Sequence, residues 1–159
     1  MISPARVFAA MTAHPINHRN VGRSTALPDF DQATAAAMCA GMPDLQFKAS
    51  MLKWAGDWSN ANYLEYRIWI AAVDIAREEK WKIPRGREYL RRMAGLAIAE
   101  VADPGRWQLD KDRAEFIGMH KSEFCRVWRK RYEMVYRILD ELAQDGYRHV
   151  QRNNMEIAS

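Results

Sequence analysis

The sequence has few of the residues and segments that mark secreted, membrane or zinc-binding proteins. It contains only two cysteines, Cys39 and Cys125, and they form no Cys-x-x-Cys pair. This excludes a disulfide framework and the common zinc motifs, and it suits a reducing cytoplasm. No apolar run reaches the ~18 residues that span a bilayer, and Arg6 and Pro15 interrupt the apolar stretches near the N-terminus. We therefore expect a soluble intracellular protein without a secretory signal.

The sequence also lacks the motifs of common catalytic sites. It has no glycine-rich phosphate cradle and no nucleophile elbow. The Asp110 and Asp112 pair suits the first turn of a helix better than paired acid catalysis, because acids favour helix N-termini. His14 and His18 have the spacing of a metal pair, but Pro15 disfavours a helix through them. We expect no enzyme activity, no metal and no cofactor.

The composition is that of an ordinary globular domain with a basic balance. Of 159 residues, 48% are hydrophobic and 28% are charged, which argues against a disordered chain. Lys and Arg number 24 against 20 Asp and Glu, giving a net charge of +4. This balance permits binding to a polyanion without demonstrating it.

Helix signals follow one another from residue 31 onward, and no alternating strand pattern of useful length occurs. The sequence predicts an all-α fold, a compact helical bundle with a C-terminal helix-turn-helix and a long last helix. The predicted helices are 32–39, capped by Asp29 or Asp31, then 45–55, 61–80, 87–102 and two helices after the break at 103–105. The predicted organisation is a flexible segment 1–30, a bundle 31–105, a DNA-binding region 106–150 and a flexible tail 151–159.

Two expectations concern the aromatic and apolar residues of the bundle. Apolar residues surround most of the helix predicted at 61–80, which is typical of the centre of a bundle. Trp54 and Trp58 lie four residues apart, so they would share a helical face if the helix continues through Gly56. Trp69 and Trp128 are expected core residues.

Residues 110–130 match the pattern of a helix-turn-helix. Ala114 is the small residue that allows a second helix to approach, and Gly118 supplies the left-handed turn. Phe124 and Val127 are predicted to face inward from the second helix, which continues to about Leu142. Arg113 departs from the pattern, which prefers an apolar residue, and Phe116 is the expected substitute for that contact.

The motif assigns DNA-binding roles to exposed residues of the second helix. Arg126 and Arg129 lie one helical turn apart, and each can bind guanine bidentately. Base contacts are predicted for Lys121, Ser122, Cys125, Arg126 and Arg129, and a phosphate contact for Lys130. The alternative is that Ala114 and Gly118 only permit two bundle helices to pack, with the arginines forming a solvated surface.

A second basic run occupies residues 80–92, with six basic residues against one acid. Trp81 and Tyr89 interleave with this charge, a composition typical of phosphate-binding surfaces. The possible phosphate or polymerase contacts are Lys82, Arg85, Arg87, Arg91 and Arg92. The alternative is a solvated connection between helices.

The Ala114-x-x-x-Gly118 pattern and the long basic helix after Ser122 resemble the helix-turn-helix of sigma-factor region four. They also resemble the C-terminal part of bacteriophage late-gene antiterminators of the Q type. The tryptophan-containing stretch 52–62 is similar to an N-terminal stretch in some of those proteins. The resemblance implies a phage transcription regulator acting in the bacterial cytoplasm. Such a protein binds double-stranded DNA beside a late promoter and contacts RNA polymerase, sigma factor and nascent RNA.

Two other classes share parts of this evidence. A DNA-packaging adaptor of the small-terminase type combines a helix-turn-helix with ring assembly, so its mass in solution would be that of many subunits. A helical protein-interaction module without a DNA role would show no salt-dependent binding to duplex DNA.

Overall fold

In the computed structural model of the chain, every regular element among the described residues, 2–12, 32–83 and 87–158, is a helix. A 3-10 turn at Pro104–Arg106 and a π-helical turn at Phe124–Trp128 accompany the α-helices. The α-helices are α1 (Pro4–Thr12), α2 (Gln32–Met38), α3 (Asp44–Ala55), α4 (Ala61–Glu78), α5 (Glu88–Ala102), α6 (Asp110–Ile117), α7 (Lys121–Glu123) and α8 (Arg129–Ala158). The all-α prediction is confirmed.

The last three helical segments follow one another without a break, and we refer to residues 121–158 as the terminal helix. Phe124 and Arg129, at the two junctions with the π-helical turn, both have right-handed helical backbone angles. The terminal helix therefore extends beyond Leu142, where the sequence predicted its end. Its length lets it contact α1, α2, α3, α4 and α5.

Helix α3 ends at Gly56, which adopts a left-handed conformation with φ of 64° and donates its N–H to the Met51 carbonyl. A glycine accepts this conformation without the steric cost that a side chain would add. Trp58 consequently lies outside the helix and is 52% exposed, so it does not share a helical face with Trp54. The sequence prediction for this pair is corrected.

The main hydrophobic core forms where α5 packs against α4 and the terminal helix. Nine residues of α5 are buried, whereas α4 buries one stripe and exposes the opposite side. The central helix is thus α5 rather than α4. Its small residues Ala94 and Ala97 allow neighbouring helices to approach closely. Trp128 is a core residue as predicted, while Trp69 is half-buried.

A second cluster joins the two ends of the described chain. Val7 and Phe8 of α1 are fully buried in it, together with Val150 of the terminal helix. Asn154 donates a hydrogen bond of 3.1 Å to the Ile2 carbonyl, and Asn153 donates one of 2.9 Å to the Met38 carbonyl. Residues 4–12 and 151–158, where the sequence predicted flexible segments, are helical in the structure. The predicted caps Asp29 and Asp31, the pair His14 and His18, and Arg85 lie outside the described residues.

The predicted boundary near residue 105 does not separate two cores. Trp107, Ala114 and Ile117 from the predicted DNA-binding region belong to the same cluster as Leu90 and Met93 of α5. The helix-turn-helix is consequently held by the bundle on which it sits. Among the described residues, no helix combines the length and apolar character needed to cross a membrane.

Candidate nucleic-acid interface

Helices α6 and α7 are joined by a tight turn of three residues, 118–120. Gly118 has a φ of 84°, and its N–H binds the Glu115 carbonyl at 3.1 Å. The Met119 N–H binds the Ala114 carbonyl at 3.0 Å, which completes a Schellman motif. His120 is extended, and the terminal helix begins at Lys121. The chain therefore has a helix, a turn and a helix at the predicted positions.

The interior of this motif is packed as the spacing predicts. Ala114 and Ile117 are buried on α6, and Phe124 and Trp128 are buried on the terminal helix. Val127 is half-buried against the main core. Because these contacts come from both helices, they fix the crossing of the terminal helix over α6.

Phe116 does not provide the contact expected of it. It is 41% exposed, and its ring lies edge-on to Trp107 with centroids 5.3 Å apart. At the position where the pattern prefers an apolar residue, Arg113 makes polar contacts instead. Arg113 binds Glu100 of α5, which is only 7% exposed, and also Asp110 at 3.3 Å.

The Glu100 carboxylate also accepts a hydrogen bond from the buried Tyr132 hydroxyl of the terminal helix. Burial, followed by the contact with Glu100, raises the pKa of Tyr132 above its ordinary value, so the hydroxyl stays a donor. A buried charge is tolerated when it is paired and fully hydrogen-bonded. Glu100 thereby ties α5, α6 and the terminal helix together. Sequence reasoning missed it because its partners lie 13 and 32 residues away.

A second ion pair connects α6 with the terminal helix. Asp110 accepts a hydrogen bond from Arg129 and lies 3.6 Å from the Cys125 sulfur. Burial alone would raise the pKa of Asp110, but the hydrogen bond and charge of Arg129, with hydrogen bonds from Arg113 and Cys125, outweigh it and lower the pKa below its usual value. The two predicted DNA contacts Cys125 and Arg129 are thus half-buried beside Asp110. Arg129, for which a base contact is predicted, is thus paired with Asp110 in the unbound protein, and its DNA contact stays a prediction.

The other four predicted contacts on the terminal helix, Lys121, Ser122, Arg126 and Lys130, are exposed. Ser122, Arg126 and Lys130 recur every four residues and therefore share one side of the helix. Six basic residues against two acidic ones occupy positions 121–137, whereas two basic and four acidic residues occupy 138–158. The positive charge of the terminal helix is therefore concentrated next to the turn.

The second basic run contacts the helix-turn-helix at both of its ends. At one end, the Arg92 guanidinium donates a hydrogen bond of 3.2 Å to the Ile117 carbonyl and pairs with Glu88 at 2.5 Å. At the other end, Arg131 donates to the Lys82 carbonyl at 3.2 Å. Arg131 also lies over the rings of Trp81 and Trp128, at 5.2 and 4.7 Å from their centroids.

Three other basic residues of this run that the structure describes are exposed. Lys82 and Arg87 are exposed, and the exposed Arg91 lies 3.7 Å from Glu65. A groove of about 570 Å³ follows the turn and is lined by Tyr89, Gly118, His120 and Lys121, among others. The fold thus brings the two basic segments, which are separate in sequence, to one region of the surface.

What the arrangement offers chemically is a helix-turn-helix crossing with exposed arginine and lysine side chains at the first turns of the second helix. Among the described residues, no group of three or more His, Cys, Asp or Glu side chains is placed to hold a metal ion. Comparison of the chain with protein-family models, curated proteins and solved structures gives no match.

Proposed function

We propose that this chain is a sequence-specific DNA-binding transcription regulator that inserts the start of its terminal helix into the major groove. The observation that carries the proposal is the Gly118 turn followed by an exposed basic stripe. A helix-turn-helix presents the first turns of its second helix to the base edges. The Arg113, Glu100 and Tyr132 network supports this use, because it fixes the second helix relative to the bundle.

On this proposal the exposed residues divide into two roles. Arg126 reads a guanine through its two donors, and Ser122 contacts a neighbouring base edge. Lys121 also contacts a base edge, and Lys130 neutralises a phosphate, which sets the position of the protein on the duplex. Arg129 contacts DNA only when a phosphate or a base replaces Asp110 as its partner.

The sharper form of the proposal is phage late-gene antitermination in the cytoplasm of a bacterial host. It is supported by the resemblance to Q-type antiterminators and by the convergence of the second basic run on the motif. Lys82, Arg87, Arg91 and Arg92 then face RNA polymerase, sigma factor or nascent RNA while the terminal helix holds the promoter DNA. Terminator read-through by purified polymerase, with and without the chain, tests this form directly.

The first experiment measures affinity for duplex DNA across a salt series, beginning with the regions that flank the gene. The wild type is compared with Arg126→Ala and with the matched control Arg152→Ala, which removes an exposed arginine from the far end of the same helix. We expect Arg126→Ala to weaken specific binding by about 1–3 kcal/mol. Lys130→Ala should weaken binding to all sequences and reduce the salt slope by about 1.

Three results would overturn the proposal. Absence of DNA binding at low salt would assign the motif to bundle packing and the function to a protein-interaction module. Equal losses for Arg126→Ala and Arg152→Ala would indicate a general charge effect without base reading. A mass of many subunits in solution would move the function to a packaging adaptor.

A further inference from the structure

The outer face of α4 is a regular stripe of exposed side chains on the side opposite the main core. The buried side of the helix consists of Leu64, Ile68, Ala72 and Ala76, spaced every four residues. The exposed residues of the outer face are Asn62, Tyr63, Tyr66, Arg67, Ile70, Asp74, Arg77 and Glu78. None of them belongs to the helix-turn-helix or to the second basic run.

The outer face has two unlike halves. Its first half carries the aromatic and apolar residues Tyr63, Tyr66 and Ile70, exposed by 38%, 54% and 39%, together with Asn62 and Arg67. Its second half is charged and consists of Asp74, Arg77 and Glu78. Aromatic side chains grouped on one exposed helix face mark interaction surfaces, since they bury large areas at low entropic cost.

The two halves complement each other when a second copy of α4 lies antiparallel, with the twofold axis at Ile70. In that register Tyr63 meets Arg77 of the second copy, and Tyr66 meets its Asp74. The first pair is a cation–π contact, and the second is a hydrogen bond from a phenol to a carboxylate. No like charges face each other directly in this register.

Arg67 strengthens the same arrangement. It lies diagonally opposite Asp74 of the second copy, so a charge pair forms on each side of the axis. Within one chain the Arg67 guanidinium donates a hydrogen bond of 2.8 Å to the Tyr63 hydroxyl and lies 5.8 Å from the centroid of the Tyr63 ring. Within one chain Asp74 and Arg77 lie 3.7 Å apart, and both side chains are more than half exposed. Such an exposed ion pair is weak, so both residues can exchange it for contacts with the second copy.

We propose that the outer face of α4 binds a second copy of this chain and forms a twofold-symmetric dimer. A face that is complementary to itself under a twofold axis is what an isologous interface requires. One pair of helices buries less than the ~800 Å² per partner of a standard stable interface, so the dimer dissociates on dilution. The inference goes beyond DNA binding and does not depend on it.

Cross-linking tests the register. The chain with Cys39 and Cys125 replaced by serine receives Ile70→Cys, which places two thiols together on the axis. We expect a disulfide-linked dimer under mild oxidation. Glu78→Cys is the matched control, because its two copies lie about 24 Å apart along the helix axis and should not react. A mixture of the Tyr63→Cys and Arg77→Cys chains should cross-link, whereas neither chain should do so alone.

The mass in solution tests the energetics without DNA. Sedimentation of the wild type should show a concentration-dependent dimer that Ile70→Arg abolishes, while circular dichroism confirms an unchanged helix content. Arg67→Asp should weaken the dimer, and Arg67→Asp with Asp74→Arg should restore it. A monomer at every concentration would overturn the proposal, and so would a dimer that survives Ile70→Arg. Neither result would affect the DNA-binding proposal, whose assay uses other residues.

Discussion

Gly146 lies inside the terminal helix where this helix crosses α3. Its substitution by alanine distinguishes the effect of helix propensity from the effect of packing against α3. From sequence alone, alanine should stabilise the helix by about 1 kcal/mol relative to glycine. The tertiary structure predicts the opposite sign. A Cβ atom at this position would lie 2.0 Å from the Ser50 hydroxyl oxygen and 3.1 Å from the Gln46 carbonyl oxygen.

The magnitude follows from two costs and one gain. Forcing a methyl group into a packed contact costs about 1–3 kcal/mol, since the Gln46 carbonyl belongs to the backbone and moves only with α3. The displaced Ser50 hydroxyl also loses its 3.2 Å hydrogen bond to the Ala143 carbonyl, which costs about 1 kcal/mol. After the helix-propensity gain of about 1 kcal/mol, we expect a net loss of about 1–3 kcal/mol.

Urea unfolding followed by circular dichroism measures this loss, and Gly95→Ala is the matched control. The nearest atom to a Cβ at Gly95 of α5 is a Phe116 ring carbon at 3.6 Å, an ordinary contact, so this variant should be neutral or slightly stabilised. Ser50→Ala with Gly146→Ala should be more stable than the sum of the single variants predicts, because the closest clash is gone. If Gly146→Ala is as stable as Gly95→Ala, the close approach of α3 and the terminal helix is refuted.

Four further predictions concern the turn, the Asp110 pair and the thiols. Gly118→Ala should lower the free energy of unfolding by about 1–2 kcal/mol, because φ is positive there. The methyl group of alanine would also displace the Arg92 guanidinium, because one of its nitrogens would lie 2.3 Å from the new Cβ atom. In urea unfolding, Gly118→Asn should show a smaller loss of unfolding free energy. Asp110→Asn should release Arg129, so that binding to random duplex DNA becomes tighter and more salt-dependent. Fluorescence anisotropy measures this binding, and Asp110→Asn should not tighten it in a chain that also carries Arg129→Ala. Because the pKa of Asp110 is lowered on folding, its contribution to stability is complete above the ordinary value of 3.8 and is lost as the pH falls through the lower folded value. The stability difference between wild type and Asp110→Asn should therefore shrink from about pH 6 to about pH 2, and a growing difference would contradict the assignment. Burial raises the pKa of the Cys39 thiol to about 11, so alkylation of Cys39 in the folded protein should accelerate only near that pH; rapid alkylation at neutral pH would contradict its burial.

The sequence by itself determined the all-α class and the helices between residues 32 and 117, but it predicted neither α1 nor the full length of the terminal helix. Gly56 and Gly118 end helices at the predicted positions, because a residue in the left-handed conformation ends the helix locally. The all-α class and the helix-turn-helix spacing depend on contacts within four residues of each other, which periodicity reports directly. The DNA-reading role assigned to Arg126 and Lys130 stays a prediction.

Only the tertiary structure decided which polar residues are free and which are paired. Arg129 looks like Arg126 in the sequence, yet it pairs with Asp110, 19 residues away, while Arg126 is exposed. The Glu100 network and the docking of α1 against Val150 likewise join residues that are distant along the chain. Local propensity carries no information on such contacts, because their free energy arises when separate helices exclude water together.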